Sequence, residues 1–245
     1  MIAAVENLVR GKYAMDARLG NYKDADKITR AMHHLSGLSV PHPHLDSVPS
    51  INPSTFIKRA LPFSDIQYSY ERAPVQSIDP FLVIGGTYKD YAENQEAATA
   101  IVNRMNEAAE EYEKGGVDSN IARYCKIGDL PVYVACEGKN RVLMFQRMNS
   151  PIKATVTLVT YPQPEELTLH LVKPYHFYAL SCSNPKYKNQ RSGVTASLAI
   201  LPFQELVIPL LKAYGVKEGG TIYSLTAIVE WFSQRRSITG ALMGH

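Results

Sequence analysis

Residues 130–148, LPVYVACEGKNRVLMFQRM, constrain the fold of this chain more than any other stretch. The apolar run at 131–136 predicts a buried strand, and Glu137 with Gly138 predicts a tight turn directly after it. A helix is predicted from about residue 140, because apolar side chains then recur at helical spacing. The stretch therefore predicts a strand, a glycine turn and a helix in immediate succession.

Such a turn is suited to binding an anion. The first backbone N–H groups of a helix have no partner within it, and the helix dipole adds partial positive charge at the same end. Lys139 and Arg141 add two cations, and Gly138 allows close approach to the backbone. The predicted ligand is a phosphate group, and the alternative is an ordinary strand-to-helix turn with a solvated Lys and Arg.

The flanking segments predict further elements of both kinds. A strand is predicted at 74–84, where Pro80 makes it an edge strand or two short pieces, and a long helix at 91–112. Short β-rich runs follow at 152–160 and 167–172, and residues 118–129 are predicted to be a connector.

This order of elements around a Gly-x-x-Arg turn resembles the ParB/sulfiredoxin superfamily over about residues 70–182. Gly138 and Arg141 match the superfamily's phosphate-binding turn. The middle pair, Lys139 and Asn140, differs from the Gly-Glu-Arg-Arg turn of ParB proteins. Sulfiredoxins carry their catalytic Cys where Lys139 stands, so the resemblance does not extend to sulfiredoxin activity.

The resemblance implies an α+β fold with a small mixed-sheet core and with helical additions at both ends. It divides the chain into an N-terminal helical extension (1–69), the core (70–182), and a basic loop with C-terminal helices (183–245). In the extension, helices are predicted on both sides of a break near Gly20 and from Ser54. At the other end, the final 50 residues are predicted to be helical, with helices at 203–214 and 225–236.

The resemblance also implies a ligand and a function. It implies ATP or CTP, with Mg²⁺ as an accompanying ion, at Gly138, Lys139, Asn140 and Arg141. The overall pattern is most similar to plasmid-encoded fertility-inhibition factors, which implies inhibition of conjugative DNA transfer by an ATPase or nuclease. Glu137 is the candidate catalytic carboxylate because it adjoins the turn, and the alternative is that it is simply exposed.

Residues 183–193, SNPKYKNQRSG, form a polar loop with a candidate DNA contact. Lys186, Lys188 and Arg191 are cations that can neutralise phosphates, and Tyr187 offers an aromatic face on which a base can stack. The alternative is a solvated loop. The cluster of histidines at 33, 34, 42 and 44 is assigned to an exposed loop and not to a metal site, because no second group of ligands stands at suitable spacing.

Composition limits the remaining choices. The formal charge of +3 is far from that of a dedicated nucleic-acid binder, although residues 151–245 carry 9 Lys and Arg against 5 Asp and Glu. Three scattered cysteines do not predict a disulfide framework, which favours a reducing cytoplasm. No run approaches the 18 or so apolar residues of a membrane span.

Three functional hypotheses remain open. The first is a nucleotide-binding protein of the ParB/sulfiredoxin type that hydrolyses ATP and cuts or binds DNA. The second is a non-enzymatic protein that binds a component of the conjugation apparatus through its helical additions, with a homodimer as a further arrangement. The third is a ParB-like DNA-binding regulator.

Overall fold

Two mixed β-sheets and five α-helices make up the part of the chain that the structure describes. This structure is a computed structural model, and it describes residues 1–20, 51–66, 72–86, 95–116, 121–173, 176–187 and 198–223. The helices are α1 (Ile2–Gly20), α2 (Pro53–Ala60), α3 (Gln95–Glu113), α4 (Val142–Arg147) and α5 (Gln204–Tyr214). The strands are β1 (Val75–Ile78), β2 (Val83–Ile84), β3 (Ala122–Ile127), β4 (Tyr133–Glu137), β5 (Ile152–Val159), β6 (Leu167–Lys173), β7 (Phe177–Cys182), β8 (Leu198–Ile200), β9 (Lys217–Glu218) and β10 (Ile222–Tyr223).

The first sheet has the strand order β1-β5-β3-β4-β2. Strand β3 pairs parallel with β5 and antiparallel with β4, and the short strand β2 pairs parallel with β4 at one edge. Strand β1 pairs antiparallel with β5 at the other edge. Strand β2 ends opposite Val134, so the segment that follows β2 starts beside β4.

The second sheet is built on the antiparallel pair β6 and β7. Strand β8 pairs antiparallel with β7, while β9 and β10 pair parallel with successive parts of β6. His170 on β6 contacts both the Ser181 hydroxyl at 2.8 Å and the Gly220 carbonyl at 3.2 Å, which links this strand to the segment between β9 and β10.

The first sheet carries buried residues on both of its faces. Alternate residues of a strand point to opposite faces, so neighbouring residues pack in different clusters. On β3, Tyr124 packs in a cluster with residues of α3 and α4, whereas Cys125 and Ile127 pack in the main cluster. The main cluster joins the sheet to α1, α2, α5 and the second sheet. It thus includes residues from all three predicted parts of the chain, and the division at 69 and 182 stays a prediction.

Local sequence signals account for several element ends. The Asn52 side chain accepts hydrogen bonds from the backbone N–H groups of Ser54 and Thr55, so it caps the start of α2. Gly215 ends α5 with φ +107°, a left-handed conformation that favours glycine. Arg72 donates to the Tyr112 carbonyl and lies 4.4 Å from the centre of that ring, which places a cation at the negative end of α3.

The α+β class is confirmed, and most of the predicted elements are present. Strands are present in both β-rich runs, and the predicted strand at 74–84 is two short pieces separated by a 3₁₀ turn at Pro80–Leu82. The helices predicted from Ser54, at 91–112 and at 203–214 are present as α2, α3 and α5, with residues 91–94 lying outside the described part.

Two predictions are wrong. Residues 118–129 are not a connector, because 122–127 form β3 at the centre of the first sheet. Arg123 and Lys126 interrupt the apolar run of that strand, so the sequence pattern did not predict it. Their side chains are partly exposed, and the other residues of the strand are buried. The final 50 residues are not only helical, because they supply β8, β9 and β10 to the second sheet.

Other predictions fall outside the described residues. They are the second N-terminal helix, the histidine-rich loop, the part of the basic loop from residue 188 onward and the helix at 225–236. Within the described residues, no helix combines the length and the apolar content that crossing a membrane requires.

The cap of α5 provides a test of the backbone. Gly215→Ala should lower the free energy of unfolding by about 1–2 kcal/mol, because an L-residue is strained at positive φ. Gly220→Ala is the matched control, since that glycine has no positive φ and a Cβ there would meet nothing within 4 Å. Urea unfolding of both variants measures the difference, and equal losses would contradict the assigned cap.

Candidate functional site

The candidate site lies where the chain leaving β2 meets the turn that follows β4. The two strands are parallel, and β2 ends with Ile84 opposite Val134, three residues before β4 ends at Glu137. Gly85 and Gly86 follow β2, and Gly138 follows β4. The backbone N–H of Gly86 donates to the Lys139 carbonyl at 2.8 Å, so the two segments are joined directly.

The turn after β4 has the conformation that the sequence predicts. Gly138 is left-handed with φ +75° and precedes a 3₁₀ turn, Lys139–Arg141, which runs directly into α4. The Arg141 N–H donates to the Gly138 carbonyl at 3.0 Å, which closes the turn. The N–H groups of Lys139 and Asn140 come before any helical partner is available. Lys139 is exposed, while Asn140 and Arg141 are partly exposed.

Glycine is required at two positions here, for different reasons. At Gly138 the reason is the positive φ, since a Cβ would lie 3.4 Å from Ala122 and 3.5 Å from Met105, which is ordinary contact. At Gly85 the reason is space, because a Cβ would lie 2.8 Å from the Lys139 carbonyl oxygen and 2.7 Å from Cβ of Val142. Ala122 and Met105 lie on the side of Gly138 where a Cβ would point, so a ligand would bind to the backbone N–H groups of the turn.

A buried ion pair on α1 contacts the backbone of Gly85, next to the turn after β4. The side chains of Lys12 and Asp16 are fully buried, with Nζ of Lys12 2.5 Å from a carboxylate oxygen of Asp16. The same Nζ donates to the Gly85 carbonyl at 2.5 Å. The other oxygen of Asp16 accepts from the Ile51 N–H at 2.9 Å. This pair therefore ties α1 to the end of β2 and to the chain before α2.

Electrostatics connect that pair to the turn. Burial lowers the pKa of Lys12, the nearby Asp16 carboxylate raises it, and the charge of Lys139 adds a further lowering. The positive charges of Lys12 and Lys139 thus act on each other across the Gly85 backbone. Asp16 compensates the buried charge of Lys12, while Lys139 and Arg141 are the cations of the turn itself.

Two tyrosines lie beside these groups with buried hydroxyls. The Tyr124 hydroxyl has no hydrogen-bond partner among the described residues, while the Tyr13 hydroxyl lies close enough to the Gly85 backbone to interact with it. Burial is the main cause that raises the pKa of both. Asp16 raises the pKa of Tyr13 further, and Arg141 opposes the rise at Tyr124. Both hydroxyls therefore stay protonated at physiological pH.

Glu137 is exposed at the end of β4, one residue before Gly138. In the sheet register it lies opposite Arg123 on β3. It is thus placed at the rim of the turn, where solvent reaches it, and not beneath the turn.

The structure describes only the first part of the candidate DNA loop. Pro185–Tyr187 form a 3₁₀ turn in which Lys186 is exposed and Tyr187 is buried in the main cluster. Nζ of Lys186 lies 5.8 Å from the centre of the Tyr187 ring. The ring of Tyr187 therefore packs inside the protein and is not exposed for base stacking. Lys188 and Arg191 lie outside the described residues.

Sequence reasoning missed Lys12, Tyr13 and Asp16 as parts of the site. The spacing of Lys12 and Asp16, four residues apart on one helix face, is a signal of an ion pair. This spacing does not reveal that the pair is buried or that Lys12 contacts Gly85. Gly85 is 73 residues away in the chain, so only the folded structure brings them together. Comparison with protein-family models, curated proteins and solved structures gave no match.

The ion pair gives the second prediction. Lys12→Met should lower the free energy of unfolding by about 3–5 kcal/mol, because it leaves the Asp16 carboxylate buried without its cation. The double variant Lys12→Met/Asp16→Asn should lose less, since the amide oxygen of Asn can still accept from the Ile51 N–H. Chemical denaturation of both variants measures the difference. A double variant less stable than the single one would contradict this account of the pair.

Proposed function

We propose that the turn formed by Gly138, Lys139, Asn140 and Arg141 binds the phosphates of a nucleotide, ATP or CTP. One arrangement carries the proposal: a left-handed glycine, two early helical N–H groups and two cations stand together in the turn after β4, and Gly86, just after the parallel strand β2, donates a hydrogen bond to that turn. Phosphate oxygens need donors and positive charge in one place, and this turn offers both.

The wider function rests on the resemblance of this turn to the ParB/sulfiredoxin superfamily. We propose a cytoplasmic protein, encoded by a plasmid or another mobile element, that inhibits conjugative DNA transfer. Hydrolysis of nucleotide or DNA would require a carboxylate at the turn, and Glu137 is the candidate because it adjoins Gly138. Mg²⁺ binds one or two carboxylates together with substrate phosphates, so Glu137 is the residue that would hold such an ion. When bound, the ion would neutralise charge on the phosphates.

The nucleotide site is tested by removing Arg141, one of the two cations of the turn. Arg141→Ala should weaken ATP or CTP binding by about 1.5–3 kcal/mol, a loss of about 10- to 150-fold in affinity, because it removes a charge-assisted contact. Calorimetric titration with ATP, CTP and GTP, each with and without Mg²⁺, measures the change. Arg147→Ala, at the other end of α4, is the matched control and should bind as the wild type does.

Two results would count against the site. Equal affinity of Arg141→Ala and wild type would remove the assignment of the turn. An absence of binding by wild type to all three nucleotides would favour the non-enzymatic alternative, in which the chain binds a protein of the conjugation apparatus or a second copy of itself. Thermal unfolding of each variant separates lost binding from lost folding.

DNA contact through the basic loop is the further part of the proposal. If Lys186, Lys188 and Arg191 neutralise phosphates, binding should weaken steeply with salt, because each contact releases counterions. Replacing all three by Ala should reduce the slope of log affinity against log salt by roughly two to three, at about 0.9 per contact on duplex DNA and 0.7 on single strands.

Fluorescence anisotropy with a labelled oligonucleotide, at several salt concentrations, measures that slope. The control variant replaces three exposed lysines elsewhere, Lys58, Lys114 and Lys217, and should keep the wild-type slope. Parallel slopes for wild type and the loop variant would show that the loop does not contact DNA.

A further inference from the structure

Two cysteine side chains lie side by side immediately before the phosphate turn. Cys125 is on β3 and Cys136 is on β4, and their sulfur atoms are 3.3 Å apart. The β3–β4 register shifts between Arg123 and Tyr124, so that Cys136 is the extra residue of a β-bulge. Cys125 is buried and Cys136 is partly exposed.

We propose that Cys125 and Cys136 form a reversible disulfide when the chain meets an oxidising disulfide such as oxidised glutathione. A disulfide bond is about 2.05 Å long, so the two sulfurs need to approach by about 1.3 Å from their present 3.3 Å. Adjacent strands already hold them in position, and Cys136 is the more exposed of the two residues, so the oxidant reaches it first. The third cysteine, Cys182, is buried on β7 and takes no part.

The hydrogen bond between the two sulfurs favours this chemistry. It lowers the pKa of Cys125, because the Cys136 S–H donates a hydrogen bond that stabilises a thiolate at Cys125. The same bond, together with burial, raises the pKa of Cys136. The pair therefore loses its first proton more readily than its second. The Cys125 thiolate, 3.3 Å from the Cys136 sulfur, is then placed to take the Cys136 proton as Cys136 attacks the oxidant.

The reaction consists of two balanced exchanges. The Cys136 thiolate attacks one sulfur of oxidised glutathione, forming a mixed disulfide and releasing one glutathione thiolate, which takes up a proton. Cys125 then loses its proton and attacks the Cys136 sulfur, forming the intramolecular disulfide and releasing the second glutathione. Two protein thiols are oxidised and one glutathione disulfide is reduced to two thiols. Reduced glutathione reverses both steps.

The expected consequence concerns the turn, and this part rests on the proposed nucleotide site. Cys136 stands two residues before Gly138, so drawing its sulfur toward β3 displaces the end of β4. Hydrogen bonds to phosphate depend strongly on distance, so displaced N–H groups at Lys139 and Asn140 should bind more weakly. Oxidation should therefore lower nucleotide affinity severalfold.

Peptide mapping of the whole chain tests the disulfide directly. The protein is equilibrated with glutathione at rising ratios of oxidised to reduced form, quenched with acid, alkylated and digested with trypsin. Cleavage after Arg123, Lys126 and Lys139 places the two cysteines in separate peptides, 124–126 and 127–139. The proposal predicts a linked pair of these peptides, lighter by two hydrogens than the reduced pair and absent after dithiothreitol treatment.

Other outcomes of the mapping overturn the disulfide. One is a linkage that includes Cys182, and another is glutathione retained on Cys136 while Cys125 stays alkylated. A third is full alkylation of both cysteines at every ratio. Cys182→Ser is the control variant and should give the wild-type linkage. The wild-type map needs no variant, so a misfolded substitution does not affect the result.

Calorimetric titration of the oxidised and reduced forms with ATP and CTP tests the consequence. Cys136→Ser should bind nucleotide equally under both conditions. Equal affinity of the two wild-type forms would overturn the link between the disulfide and the turn. Absence of binding in both forms would instead overturn the nucleotide site, while the peptide map decides the disulfide separately.

Discussion

The parallel pairing of β2 with β4 is the constraint on which the candidate site depends. It brings Gly85 and Gly86 close to the Gly138 turn, which is distant from them in the chain. The hydrogen bond from Gly86 to the Lys139 carbonyl then fixes their relative position. Because Gly85 has no side chain, the 3₁₀ turn and α4 approach its backbone closely, and any larger residue there would push them apart.

A buried positive charge, that of Lys12, lies next to Gly85 in this arrangement. Lys12 reaches the Gly85 carbonyl from α1, and removing an ammonium group from water is costly unless a partner compensates it. Asp16 is that partner, and its second oxygen holds the Ile51 N–H as well. A single ion pair thus connects the N-terminal helix, the chain before α2 and the Gly85 backbone after β2. The N-terminal helix is therefore part of the support of the site.

The sequence predicted the turn well because all of its parts are contiguous. The apolar run, Gly138 and the helix follow one another as predicted. The limits differ, because β4 covers Tyr133–Glu137 and a 3₁₀ turn at Lys139–Arg141 precedes the α-helix, which begins at Val142. Strand β3 was missed because Arg123 and Lys126 lie in it, although Tyr124, Cys125 and Ile127 are buried. The Lys12 contact and the Cys125–Cys136 pair were missed because tertiary structure creates them, and no local periodicity encodes contacts between separate elements.

The assignment of phosphate binding to the turn is tested most directly by backbone-amide NMR. Titration of the wild-type chain with ATP and with CTP should shift the Lys139 and Asn140 N–H resonances most strongly. Gly86 should shift as well, since its N–H bonds to the Lys139 carbonyl. Unchanged resonances at these three positions under saturating nucleotide, or larger changes confined to another part of the chain, would contradict the account.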